Sequence, residues 1–191
     1  MKKKLFLFVV AFIFGTSSAV MASDVEDYSS TIKVFSNSPV VEKFFKNSYG
    51  YALFPTVGKG GFIVGGSYGK GQVYRGGKVT GKSSIIEGSL GFQFGGKAFS
   101  ELIFFQDKHA YEKFTSGNFE FDTTAQAIVI TAGAEAQGGT TGVSAGASAG
   151  PKTGVQAEAQ YHDGMATFVH SKGGLMIEVS LGGQKFTFES L

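Results

Sequence analysis

From Tyr49 onward the pattern shifts to short segments punctuated by glycine, and that punctuation limits what the sequence can fold into. The segments Phe62 to Tyr68, Gln72 to Arg75, Ile85 to Phe94 and Leu102 to Phe105 are rich in β-branched and aromatic residues. Bounded by Gly, they read as a meander of hairpins. Gly76-Gly77 and Gly182-Gly183 supply two-residue turns, where positive φ is required and Gly adopts it without steric cost. Leu90, Phe92 and Phe94 alternate with Ser89, Gly91 and Gln93, so one face of that strand should be buried. Gly makes up 29 of 191 residues, about twice the usual ~7%. Glycines weaken strands unless a bend or a close approach requires them. Two readings stay open: a strongly curved sheet, or a surface kept bare for a ligand.

Helices are expected at three places. Val25, Tyr28, Ile32 and Phe35 fall at three-and-four spacing, with Ser23 and Glu26 at capping-box spacing. Ser38-Pro39 starts a second helix, with Val41, Phe44 and Phe45 on its apolar face. Inside the sheet region, Asp107 caps a short helix that turns Ala110, Tyr111 and Phe114 inward and stops at Gly117. Further strands are expected at Ala125 to Ala134, Val155 to Tyr161, Ala166 to His170, Leu175 to Leu181 and Lys185 to Phe188. Ala132 to Gly154 has almost no bulky side chain. It reads as a mobile loop, or alternatively as stacked small-residue strands. The fold class is therefore α+β, mainly β: a curved antiparallel sheet or partial barrel of short Gly-punctuated strands, with two N-terminal helices and one internal helix.

Residues 1–22 read as a secretory signal. Lys2, Lys3 and Lys4 precede an apolar run from Leu5 to Phe14 that is too short to span a bilayer. Val20-Met21-Ala22 then leads to cleavage before Ser23, sending the chain to the periplasm or outside the cell. Residues 23–191 are long enough for one domain with a sizeable core. The sequence contains no Cys, which excludes disulfides, thiolate metal sites and thiol nucleophiles.

The formal charge of +2 includes three signal lysines. Without them, 14 basic residues face 15 acids, and their distribution is uneven. Gly58 to Lys97 holds six basic residues (Lys59, Lys70, Arg75, Lys78, Lys82, Lys97) against Glu87 alone. Ala98 to Leu191 holds five basic residues and ten acids. Such a split favours an anionic partner on one side. Equally, lysines can decorate hairpin edges against aggregation.

Motifs suggestive of catalysis fail on context. Gly76 to Ser83 matches the phosphate-loop pattern, but Ser84, Ile85 and Ile86 lead into a strand, so no helix follows to hold a phosphate. The nucleophile-elbow pattern centres on Ser67, Ser144 and Ser148. The last two come from Ala/Gly repetition, and Ser67 lies in a hairpin rather than at a strand-to-helix turn. His109, His162 and His170 lack an orienting context for a triad and lack zinc spacing. No enzyme activity, metal, cofactor, nucleotide or nucleic-acid partner is expected.

Three strings carry a family likeness: YALFPTVGKGGFIVGGSYGKGQVYRGGK (Tyr51 to Lys78), SELIFFQDKHAYEKFTSGNFEF (Ser100 to Phe121) and KGGLMIEVSLGGQKF (Lys172 to Phe186). The chain resembles the secreted bacterial branch of the SYLF domain family from about Tyr28 to its C-terminus. The matching positions in the first string are Phe54, Pro55, Gly58, Lys59, Gly60, Gly61, Gly69, Lys70, Gly71 and Arg75. Eukaryotic members bind phosphoinositides and some bundle actin, so the resemblance implies a lipid-binding module. Those members are cytoplasmic, so actin binding is not transferred. The implied partner is an anionic phospholipid or glycolipid at an envelope membrane. Lys59, Lys70, Arg75, Lys78, Lys82 and Lys97 are the candidate headgroup ligands, since charge-assisted bonds to phosphate suit them. Phe62 and Tyr68 are the candidate aromatic contacts. An envelope structural or protein-interaction module is the alternative, and an esterase using Ser67 a more remote one.

Overall fold

The computed structural model describes residues 25–61, 64–90, 97–122, 125, 127–130, 143–145, 159–172 and 181–191. Helices α1 (Ser29–Ser36) and α2 (Pro39–Asn47) come first. Four strands follow: β1 (Gly50–Gly61), β2 (Val64–Arg75), β3 (Lys78–Leu90) and β4 (Lys97–Phe105). After α3 (Lys108–Phe114) come β5 (Phe119–Glu120), β6 (Ala127–Ile130), β7 (Val143–Ala145), β8 (Met165–Lys172) and β9 (Lys185–Ser190). All join one curled, half-barrel sheet in the order β5-β9-β3-β2-β1-β4-β8-β6-β7. The fold is α+β and mainly β, as the glycine punctuation implies. One pairing departs from the antiparallel expectation: β6 runs parallel to β8.

Local chemistry sets several of these boundaries. Gly76 and Gly77 take φ of 58° and 75°, and the β2–β3 hairpin turns on them. Asp107 Oδ1 accepts from the Ala110 N–H at 2.9 Å, capping α3. α1 starts at Ser29, later than the Ser23 spacing suggests, and Asp27 Oδ1 accepts from the Ser29 N–H at 2.9 Å. Nearly all of the expected strand at Leu175 to Leu181, the alternation from Gly91 to Phe94 and nearly all of Ala132 to Gly154 lie outside the described residues.

Aromatic contacts reveal which face is concave. Phe54 of β1 and Phe186 of β9 have ring centroids 5.6 Å apart, although β2 and β3 lie between their strands. In a flat sheet three interstrand steps would separate them by roughly 14 Å. Curling therefore brings Phe54, Ile85, Phe105 and Phe186 into one core, closed by Tyr111 and Phe114 of α3. On the opposite, convex face, α1 and α2 cover one end: Phe35 and Val41 are fully buried with Leu53, Leu102, Phe104 and Phe168. Phe44 lies 5.0 Å from Phe168 and Phe45 4.9 Å from Phe104, centroid to centroid. The rest of the convex face has no helix over it among the described residues. No described helix is long and apolar enough to cross a membrane.

Candidate functional site

Strand register lines up one row of residues across the uncovered convex face. Lys172 of β8 pairs with Ala98 of β4, Ala98 with Gly58 of β1, and Gly58 with Tyr68 of β2. Tyr68 pairs with Ile86 of β3, and Ile86 with Lys185 of β9. Register partners in antiparallel strands project from the same face. The middle of the row is thus two exposed apolar side chains, Tyr68 at 53% and Ile86 at 49%, and a lysine stands at each end.

One step along the strands, Lys70 pairs with Ser84 and Ser84 with Thr187; the next step pairs Gln72 with Lys82 and Lys82 with Glu189. These residues, with Tyr68, Glu26 and Tyr28, line a cavity of about 300 Å³. Gln72 Nε2 donates to the Glu26 carbonyl at 3.1 Å, tying the segment before α1 to the cavity rim. Burial, reinforced by the Glu26 charge and hydrogen bond, pushes the Tyr28 phenol up to about 12. Tyr28 therefore remains a neutral hydroxyl across the physiological range.

The six candidate basic residues do not converge. Lys70 and Lys82 share the cavity beside Tyr68. Lys59, contrary to expectation, is not available to a headgroup: it is only 9% exposed on the concave face, its Nζ 3.5 Å from Glu87 Oε1. Arg75 and Lys78 sit at the far, hairpin end, and the Arg75 guanidinium lies 5.4 Å from the Tyr111 ring centroid on the α3 side. Lys97 is the register partner of Lys59, and its side chain, like Phe62, lies outside the described residues. Three members of the row, Ile86, Lys172 and Lys185, escape a linear reading. The two lysines belong to the acidic C-terminal half and reach the row only because β8 and β9 flank the central strands. Lys172 Nζ donates to Thr56 Oγ1 at 2.7 Å, and Lys185 Nζ lies 3.5 Å from Glu120 Oε2.

The concave face carries a second polar group, turned inward. Ser67 Oγ donates to Glu87 Oε2 at 3.0 Å, next to the Lys59 ammonium. Glu101 of β4 is fully buried, with Gln184 Nε2 donating to its Oε2 at 3.4 Å. Ser67 sits within a strand that continues to Arg75, 3% exposed, without the sharp exposed turn of a nucleophile elbow. The phosphate-loop match at Gly76 to Ser83 runs straight into β3. No helix N-terminus is presented there.

No protein-family model matches the chain. It is similar to Beta cell expansion factor A of Aeromonas veronii, 26% identical over 158 residues that cover 81% of this chain and 51% of that protein. The chain spans about half the length of this curated relative.

Proposed function

We propose that the protein binds anionic lipid headgroups at a cell-envelope membrane without catalysing a reaction, using the uncovered convex face of its sheet. The observation that carries this reading is the row in which Tyr68 and Ile86 lie exposed side by side with Lys172 and Lys185 at its ends and Lys70 and Lys82 alongside. Exposed apolar side chains can enter the interfacial region while ammonium groups on long stems reach phosphate. Each lysine close to an anionic surface contributes about 1 kcal/mol. An exposed pair such as Lys185 with Glu120 is worth only about 0–1 kcal/mol, so phosphate can displace the carboxylate. Likeness to the SYLF family and the signal-like first 22 residues support the same reading, with the periplasm or the outside of the cell as its setting.

The alternative, an envelope interaction module that pairs through its sheet edges, finds little to use among the described residues. There the edge strands β5 and β7 have two and three residues, and short edges resist strand addition. Co-sedimentation with vesicles separates the two. Binding to vesicles containing an acidic phospholipid, absent with neutral ones and reversed at about 1 M salt, where the Debye length is about 3 Å, is expected. Equal recovery with both vesicle types, or binding that ignores salt, would count against a headgroup site.

A further inference from the structure

We propose, resting on the headgroup surface proposed above, that the cavity beside Tyr68 selects a phosphodiester of glycerol with both hydroxyls of its diol free, the group at the head of phosphatidylglycerol. Lys70 of β2 pairs with Ser84 and Lys82 of β3 pairs with Gln72, so the two lysines are diagonal neighbours on one face. Their Cβ atoms are thus about 7–8 Å apart, a span across which two ammonium groups on long stems can close on one phosphate. Positive charge alone does not describe the cavity, because Glu26 and Glu189 share its lining with those lysines. Two carboxylates against two ammonium groups leave no formal excess to draw in a doubly charged phosphate monoester. A phosphodiester carries one negative charge, and hydroxyls beside it donate to carboxylates, which only accept.

Neutral polar groups front the same space. Ser84 and Thr187 are register partners whose Oγ and Oγ1 lie 2.7 Å apart, and Thr187 Oγ1 also accepts from the Ser84 N–H at 3.2 Å. Either hydroxyl can donate to the other, so one hydroxyl hydrogen remains to be given to a diol. Gln72 is a wall rather than a ligand: it is 2% exposed, its Oε1 accepts from the Tyr74 hydroxyl at 2.8 Å, and its Nε2 holds the Glu26 carbonyl. Those two bonds anchor the backbone of Glu26 against β2 and keep its side chain at the rim. The volume of about 300 Å³ lies at the lower end of the ~300–1,000 Å³ usual for ligand sites. One small headgroup fits, and acyl chains do not. The next row along the strands pairs Tyr68 with Ile86, both exposed and apolar. A headgroup in the cavity therefore leaves its diacylglycerol portion beside side chains that suit it.

Partitioning onto phosphatidylcholine vesicles that carry either phosphatidylglycerol or phosphatidic acid, matched in zeta potential, tests this. Two hydrogen bonds to the diol correspond to a preference for phosphatidylglycerol of about tenfold. Ser84→Ala/Thr187→Val, which keeps both lysines, should erase that preference; partial unfolding would weaken both partitions alike and leave their ratio in place. Glycerophosphoglycerol, the soluble form of the same group, should compete with the phosphatidylglycerol vesicles and shift the Thr187 methyl resonance. Equal partitioning of the parent onto the two vesicle types, or a preference that survives in the double variant, would overturn the diol site and leave headgroup binding through the lysines standing. No partitioning onto either vesicle, with Thr187 still shifted by glycerophosphoglycerol, would keep the diol site, move its ligand into solution and overturn the membrane reading. Silence in both measurements would overturn both.

Discussion

Replacing Glu101 with glutamine should flatten the fall in stability between about pH 4.5 and pH 8 that this carboxyl imposes on the parent chain. Glu101 is fully buried; among the described residues its Oε2 receives only the 3.4 Å bond from Gln184, and its Oε1 has no hydrogen-bond partner. Burial raises its pKa from 4.5 to about 8; the Gln184 bond opposes the shift and the Glu87 charge adds to it. Folded chains thus keep the proton to about pH 8, whereas unfolded chains release it near 4.5. Stability from the neutral form is complete below the unfolded value and is lost as pH rises through the folded one. At about 1.4 kcal/mol per pH unit, the loss amounts to about 5 kcal/mol. Denaturant unfolding of both chains across this range should give curves that diverge by about that much, glutamine being the more stable at pH 8. Parallel curves would mean that Glu101 ionises normally in the folded chain.

Gly71→Ala should cost about 3 kcal/mol, at the upper end of overpacking in a filled core, while Gly88→Ala should be neutral or slightly stabilising. A Cβ on Gly71 would stand 2.5 Å from the Leu53 carbonyl oxygen and 2.5 Å from Phe54 Cδ1. Neither can give way: one is backbone in the adjoining strand, and the other belongs to a fully buried ring. Gly88 offers a new Cβ nothing within 4 Å and has no positive φ. For a domain of this size, about 3 kcal/mol corresponds to a melting point lower by roughly 6–12 °C. A Gly71→Ala protein that melts with its parent would remove close packing on the concave face as the reason for glycine there.

These glycines explain why the composition pointed correctly to curvature. The Gly76-Gly77 turn, the Asp107 cap and the Pro39 helix start were legible for a related reason, since each depends on a few neighbouring residues. Strand β1 was much harder to read, because Pro55, Gly58, Gly60 and Gly61 interrupt any simple alternation. Pairing on both sides nevertheless holds it. Its register shifts between Leu53 and Thr56 against β2, and between Phe54 and Val57 against β4. Pro55 has no N–H to give the ladder, and its carbonyl accepts from Ser100 Oγ at 2.8 Å.

That irregularity also accounts for Lys59. Counting by twos from Ala52 and Phe54 sends an odd-numbered position to the convex face. The bulge moves the alternation by one, so Val57 and Lys59 turn inward with Phe54. The candidate surface was half legible for the same kind of reason. Tyr68, Lys70 and Lys82 share one hairpin and were found by local charge and aromaticity, whereas nothing in the local sequence sets Ile86 apart from Ile85, which is fully buried. Lys172 and Lys185 join them only through non-sequential pairing of β4 with β8 and of β3 with β9.

Partitioning of Lys70→Gln/Lys82→Gln onto acidic vesicles, measured beside the parent and a Lys78→Gln control, tests the headgroup surface most directly. Loss of about 2 kcal/mol, or about thirtyfold in affinity, is expected for the double variant. The control, at the hairpin tip, should change little. If the double variant binds as tightly as the parent, or the tip lysine matters as much, the convex row is not where this protein meets lipid.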